Sequence, residues 1–441
     1  MLFRNIFKAF QKRGFSFLIF VLKLINRYGF STARKWLISY DVSSLSLGRT
    51  GSLRSQLLDS SGMDHDGHNS LYVAYDEKDI DIDKCPVKTI AFYLPQFHPI
   101  PENDLWWGKG FTEWTNVSKA IPQFDGHYQP HLPGEFGFYD LRIKEIQKAQ
   151  IELARNYGIY GFCYHFYWFD GARLLEKPLN EILADKNLDF PFCICWANEN
   201  WTRRWDGLEN EVLMKQSYSS DFALSFIRDI EHILRDPRYI RVNGRPLLII
   251  YRILLLPDPA ATVEFWRKYC RDCGIGEIHL VAALTYDLID PSIYGFDAGV
   301  EFPPHQTLSM KIHKPLLRLF NPKFSGATRC YYSIVASETT LRKYSFPCYR
   351  TVFPSWDNTA RKPDNGLIFQ GGDTKMYQKW LGCAFDSAIE SKRASRSIDS
   401  LVFINAWNEW AEGAHLEPDR KYGYAWLDST AKVVAKYSTN M

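Results

Sequence analysis

Several things are missing from this chain, and each absence removes a class of function. No apolar run near its start is long enough to cross a bilayer: Phe15 to Leu22 is eight residues, against the ~20 that a spanning helix needs. Only Leu24-Ile25-Asn26-Arg27-Tyr28 follows, with no small-residue cleavage site, which argues against a secretory leader. The first 40 residues hold no acid, only Arg4, Lys8, Lys12, Arg13, Lys23, Arg27, Arg34 and Lys35; with a net charge of +3 overall, the remainder carries −5. That balance gives the main body no nucleic-acid footprint. No second pair accompanies Cys270-Arg-Asp-Cys273, so the four-cysteine zinc pattern is absent. The nine cysteines are odd in number, and Cys163, Cys193 and Cys195 sit in apolar runs where a thiol behaves as a small hydrophobe. A reducing, cytoplasmic setting is expected. No glycine-rich loop that could cradle phosphates follows the first expected strand.

What is present divides the chain in three. Residues 1–41 mix Phe, Leu and Ile with Lys and Arg, as a short basic amphipathic helix lying on the inner face of an anionic membrane would. Residues 42–86, with Ser43-Ser44, Ser60-Ser61-Gly62 and Asp64-His65-Asp66-Gly67-His68, read as a polar linker. Asp79, Asp81 and Asp83 alternate at its end, on the wrong side of the first strand for a metal-held sugar nucleotide. Residues 87–441 form the main domain, and the composition, 46% hydrophobic and 23% charged, suits a large buried core.

Within that domain, runs fit for buried strands recur at Thr89 to Phe97, Tyr160 to Phe169, Phe190 to Trp196, Pro246 to Arg252, Ile278 to Leu284, Ala298 to Phe302, Arg350 to Ser355 and Leu401 to Trp407. Helical patterns fall between them, for instance Leu141 to Tyr157, Asp221 to Arg235, Ala260 to Cys273 and Lys375 to Ser391, and Tyr424 to Lys436 follows the last. This order predicts an α/β fold, a (β/α)₈ TIM-type barrel, with the active site at the carboxyl ends of the strands.

Polar and aromatic residues gather at those ends. Gln96 and His98 follow the first strand, His165, Tyr167 and Trp168 the second, Asn198, Glu199 and Trp201 the third. Arg252 ends the fourth and Glu301 the sixth, and Trp356 and Asp357 follow the seventh. The loop after the first strand adds Trp106, Trp107, Glu113 and Trp114, indoles outside any periodic pattern that suit a carbohydrate cleft wall. After the eighth comes Asn405-Ala406-Trp407-Asn408-Glu409-Trp410-Ala411-Glu412. Two carboxylates three residues apart, among indoles and amides, suggest sugar chemistry, which needs one carboxyl held as an acid and one as a base or nucleophile. Asn408 and Trp410 can bond and stack on a pyranose. Glu412, His415, Glu417 and Asp419 are residue types that suit a cation, but their spacing matches no known site, and neither a metal nor another cofactor is expected.

The region from about 88 to 430 resembles the WbsX-type proteins, a bacterial family linked to surface-polysaccharide (O-antigen or capsule) biosynthesis with a domain like glycoside hydrolase family 99. The resemblance rests on FYLPQFHPIPENDLWWGKGFTEW at 92–114, YGFCYHFYWF at 160–169, CWANENWTRRWDG at 195–207 and NAWNEWAEGAHLEPD at 405–419. Family 99, the endo-α-mannosidases and endo-α-mannanases, is matched more narrowly, its NEWHEG signature corresponding to Asn408 through Gly413. The resemblance implies a barrel that acts internally on α-mannoside-like links with retention. Glu409 would deprotonate the substrate 2-hydroxyl, and Glu412 would protonate the leaving oxygen. Ala411 stands where the endomannosidases have histidine, and Ala414-His415 where they have Thr-Gln, so the sugar is left open. The substrate expected is an oligo- or polysaccharide, free or lipid-linked. Two alternatives stand beside hydrolysis: a glycosyltransferase of polysaccharide assembly, and a glycan-binding barrel without turnover.

Overall fold

Eight short parallel strands pair in chain order and close on themselves in the computed structural model of the protein. The described residues are 71–439, less 204–207, 308, 314, 315, 317, 318 and 396–398, together with 21–23, 25, 26 and 29. The basic amphipathic segment expected over 1–41 lies outside them, apart from those six helical positions, as does the linker up to residue 70. The strands are β1 (Lys88–Tyr93), β2 (Gly161–Phe169), β3 (Phe192–Trp196), β4 (Arg245–Ile250), β5 (His279–Leu284), β6 (Ala298–Glu301), β7 (Cys348–Val352) and β8 (Leu401–Ile404). Every neighbouring pair is parallel, and β8 returns to β1, so that Ala91 faces Phe162 on one side and Ile404 on the other. The expected (β/α)₈ barrel is met strand for strand.

Helices α1 (Pro101–Trp107) and α2 (Glu113–Lys119) belong to the loop after β1. The connections to successive strands use α3 (Lys144–Asn156), α4 (Lys177–Ala184), α5 (Phe222–Leu234), α6 (Pro259–Asp272), α7 (Tyr332–Leu341) and α8 (Thr374–Ser395), and α9 (Ala425–Thr439) follows β8. β5 and β6 are joined by a single 3-10 turn, Pro291–Tyr294. Local chemistry sets these elements: α5 buries Phe222, Phe226, Ile227, Ile230, Ile233 and Leu234 on one stripe, and α6 begins at Pro259 with Asp258 accepting from the Ala261 amide.

Period-two alternation divides β2 between two layers. Phe166 and Trp168 point outward, where Trp168, Trp196 and Phe226 interlock with ring centroids 4.1–5.5 Å apart. His165 and Tyr167 face the barrel axis. There Phe92 packs on Phe302 at 4.9 Å and Phe403 at 5.4 Å, and this aromatic layer forms a floor.

Residues 71–86 lie along the outside of the barrel: the Val73 amide donates to the Tyr422 carbonyl, and Lys78 pairs with Asp428 at 2.9 Å. Asp81 pairs with Lys84 on the surface. All nine cysteines are free thiols. Among the described residues no helix is long and apolar enough to cross a membrane.

Candidate active site

The two glutamates after β8 are brought together by a hairpin. Asn408 and Glu409 pair antiparallel with His415 and Ala414, and the 3-10 turn Trp410–Glu412 closes it. Residues i and i+3 eclipse in such a turn, which sets Glu409 and Glu412 on one side. Gly413 reverses the chain at φ +61, and a Cβ there would meet the Asp357 backbone at 3.1–3.2 Å. The Asn408 amide locks the hairpin to the end of β1, accepting from the Leu94 N–H at 2.7 Å and donating to the Leu94 carbonyl at 3.0 Å. Trp410 is an anchor: it stacks on His415 with centroids 3.7 Å apart and donates to Glu417. Glu417 also accepts from Tyr139 and Gln150, and burial pushes its carboxyl up to about 7.

A guanidinium that the sequence reading passed over organises the charge. Arg361, in the loop after β7, reaches Glu113 Oε1 at 2.9 Å, Glu409 Oε1 at 2.8 Å and Glu412 Oε1 at 2.8 Å. Glu113 is fully buried, and the Glu409 and Glu412 side chains are 9% and 23% exposed. One cation therefore faces three carboxylates. Burial raises Glu409 well above the ordinary carboxylate range and raises Glu412 too, with Arg361 opposing both shifts. A carboxyl raised in this way is the kind that can serve as a catalytic acid. Both glutamates bind terminal nitrogens of one guanidinium, so their contacting oxygens lie within roughly 8 Å, a span that covers both retaining and inverting separations.

The cluster opens on a pocket of about 230 Å³ over the Phe302 floor. Of the residues singled out from the sequence, Gln96, His165, Tyr167, Glu199, Trp201, Glu409 and Glu412 line it. Gln96 donates to the Tyr167 hydroxyl at 2.8 Å. His165 is driven down to about 4 by burial and then by Arg361, so its imidazole is neutral at neutral pH. Glu199 is ion-paired with Arg252, whose guanidinium lies 3.8 Å above the Tyr286 ring. Trp201 forms an aromatic wall with Tyr167 at 5.1 Å and Trp106 at 5.7 Å.

The other candidates lie away from the pocket lining, for physical reasons. Trp168 is on the outward face of β2, Trp114 packs between Phe97 and Trp410, and Trp107 lies against Phe111. Asn198 bridges the ends of β3 and β4 through the Arg252 backbone. Glu301 accepts from Arg350 and Tyr344. Asp357 accepts from Thr359 and contacts His127 at 2.6 Å, while Trp356 packs on Phe353. His98 is buried, 1% exposed. Besides Arg361, the sequence reading missed Tyr251 and Lys362, which also line the pocket. Charge balance calls for a cation beside glutamates buried together at one rim, but not for this arginine in particular.

Known proteins share parts of this sequence and fold. A profile of the family described as "Glycosyltransferase WbsX" matches residues 89–430. Two curated relatives, each named uncharacterized protein WxcX, from two strains of Xanthomonas campestris pv. campestris, are 48% identical over 353 residues, 80% of this chain and 50% of theirs. The chain thus spans about half the length of the curated relatives it matches. Among solved structures, a glycoside hydrolase-like protein superposes with a TM-score of 0.51 at 14% identity, covering 82% of this chain and 98% of its own, and shares the barrel fold. The family 99 endo-alpha-mannosidase of Bacteroides thetaiotaomicron gives 0.49 at 16% identity, over 81% and 98%.

Proposed function

Because the chain belongs to the family described as Glycosyltransferase WbsX, we propose that it is a carbohydrate-active enzyme of bacterial surface-polysaccharide metabolism, cleaving α-linked glycans internally, with retention, through Glu409 and Glu412. The observation that carries this reading is the convergence of Glu113, Glu409 and Glu412 on Arg361 at the barrel mouth, beside the Trp201 wall. Breaking a glycosidic bond demands one carboxyl as an acid and a neighbour as a base, and raised, closely spaced carboxyls beside one guanidinium suit that division. The substrate is an oligo- or polysaccharide, free or lipid-linked.

In this mechanism Glu409 takes the proton of the substrate 2-hydroxyl as that oxygen attacks the anomeric carbon. Glu412 gives its proton to the departing oxygen. Water then opens the resulting 1,2-linked ring, delivering a proton to Glu412 while Glu409 returns its own to O2. Burial raises both glutamates above the ordinary carboxylate range, and Arg361 opposes both shifts. A sugar hydroxyl donating to Glu409 stabilises its anion, as its role as base requires. A 2-deoxy substrate analogue is the test: it should bind yet give no product, and turnover of it at a rate near that of the parent sugar would remove this role from Glu409.

The family's description favours a second reading, transfer of a sugar to a growing chain. A donor that is itself a glycoside would use the same two glutamates, and a sugar-nucleotide donor would not need them. Dependence of product on an added sugar nucleotide separates the two.

A further inference from the structure

Behind the glutamate turn, outside the pocket lining, three buried side chains aim ligand atoms at one point. His131, His415 and Asp419 are 5%, 1% and 1% exposed. His131 Nδ1 lies 3.1 Å from His415 Nε2, His415 Nε2 lies 3.7 Å from Asp419 Oδ2, and all three atoms fall within 4.8 Å of one another. His415 Nδ1 sits 3.0 Å from the Glu417 carbonyl. A carbonyl only accepts, so Nδ1 carries the hydrogen and the Nε2 lone pair is turned towards His131 and Asp419. Asp419 is oriented in the same way: its Oδ1 accepts from the Lys421 and Tyr422 amides at 2.8 and 2.5 Å, the buried Tyr128 hydroxyl also hydrogen-bonds the carboxyl, and Oδ2 faces His415.

We propose that His131, His415 and Asp419 bind a divalent transition-metal ion of the zinc class. Bonds of about 2.0–2.1 Å in a tetrahedral site set ligand atoms roughly 3.3 Å apart, and the 3.1 and 3.7 Å separations bracket that value. Two imidazoles with one carboxylate select the zinc class over magnesium or calcium, which prefer all-oxygen cages. This departs from the expectation that the chain holds no metal, because the sequence spacing showed His415 and Asp419 but gave no hint of His131, which comes from the loop after β1.

The ion is structural, a staple for the hairpin. It ties the 127–134 loop to the strand that backs Glu409: Pro133 already bridges Asp419, the Gly134 amide donates to the Pro418 carbonyl at 2.8 Å, and the Arg420 amide donates to Leu132 at 3.0 Å. Trp410 stacks directly on the ligand His415. The site rests on none of the reasoning about the pocket, so it stands or falls independently of the proposed function.

The full chain, freed of any histidine tag and stripped with a chelator, is titrated with Zn²⁺ against a chromophoric competitor, and the zinc-loaded protein is read by X-ray absorption. About one equivalent should bind, with nitrogen and oxygen scatterers and an imidazole signature. Thermal unfolding should shift upward on loading. His131→Gln and Asp419→Asn should weaken uptake roughly tenfold or more while circular dichroism stays that of the parent. If a variant fails to fold, the scatterers in the parent protein decide alone. Sulfur scatterers, uptake unaltered in folded variants, or no uptake by the stripped chain would each overturn the proposal.

Discussion

Replacing Arg361 with methionine removes one cation from among three buried carboxylates while keeping most of the side chain's length. In the parent protein Arg361 opposes the upward shift that burial imposes on Glu409 and Glu412. Without it their folded-state pKa values rise further above the unfolded value, which is about 4.3. A group whose folded pKa is raised contributes stability that is complete below its unfolded pKa and is lost as pH rises through the folded one. The variant should therefore resemble the parent near pH 4.5 and fall behind it progressively up to pH 8. Breaking a buried pair by removing one partner costs about 3–5 kcal/mol. Over a barrel of this size that corresponds to a Tm lower by about 4–6 °C, taking ~2.1 cal/mol/K per residue. Calorimetry of both proteins from pH 4.5 to 8 measures the gap. A gap of constant size across that range, or none at pH 8, would refute the idea that Arg361 serves chiefly to hold ionised glutamates in a buried site.

Glu409→Gln and Glu412→Gln should each lower kcat by about 10² to 10⁴ with thermal unfolding little changed, and unaltered turnover in either removes that residue from the mechanism. Trp201→Ala should raise KM roughly three- to tenfold, for a loss of about 0.5–1.5 kcal/mol of ring contact, with kcat affected less; an effect on kcat alone would place Trp201 outside the binding surface. Liposome sedimentation of the full chain and of one beginning at Tyr72 tests the basic N-terminal segment. The longer chain should associate with anionic vesicles at low salt and the shorter one should not, and equal behaviour would end that expectation.

The barrel was legible because each strand is a short apolar run that only a doubly covered sheet can use. Leu401 to Ile404 and Phe192 to Trp196 are of this kind. The helix Tyr332–Leu341 was harder to see: Ser333, Ile334, Val335, Ala336, Glu338 and Thr339 are all buried, so no polar face gives it an amphipathic period. The segment between β5 and β6 offers no helix to find, only a 3-10 turn. In the site, Glu409 and Glu412 were visible because they are local to one hairpin. Arg361 was not, since 248 residues separate it from Glu113 and 48 from Glu409, and nothing in its own neighbourhood marks it. The indoles were the least informative by type. Trp201 lines the pocket, while Trp168, Trp114 and Trp410 fill the core, and only strand alternation and tertiary packing tell them apart.

The most direct measurement is incubation of the chain with a panel of α-linked oligosaccharides, with and without sugar nucleotides, followed by mass detection of products. Shortened or lengthened glycans should form without any nucleotide and disappear in Glu409→Gln and Glu412→Gln. Product that forms only when a sugar nucleotide is supplied, and persists in Glu409→Gln, would contradict catalysis by the carboxylate pair.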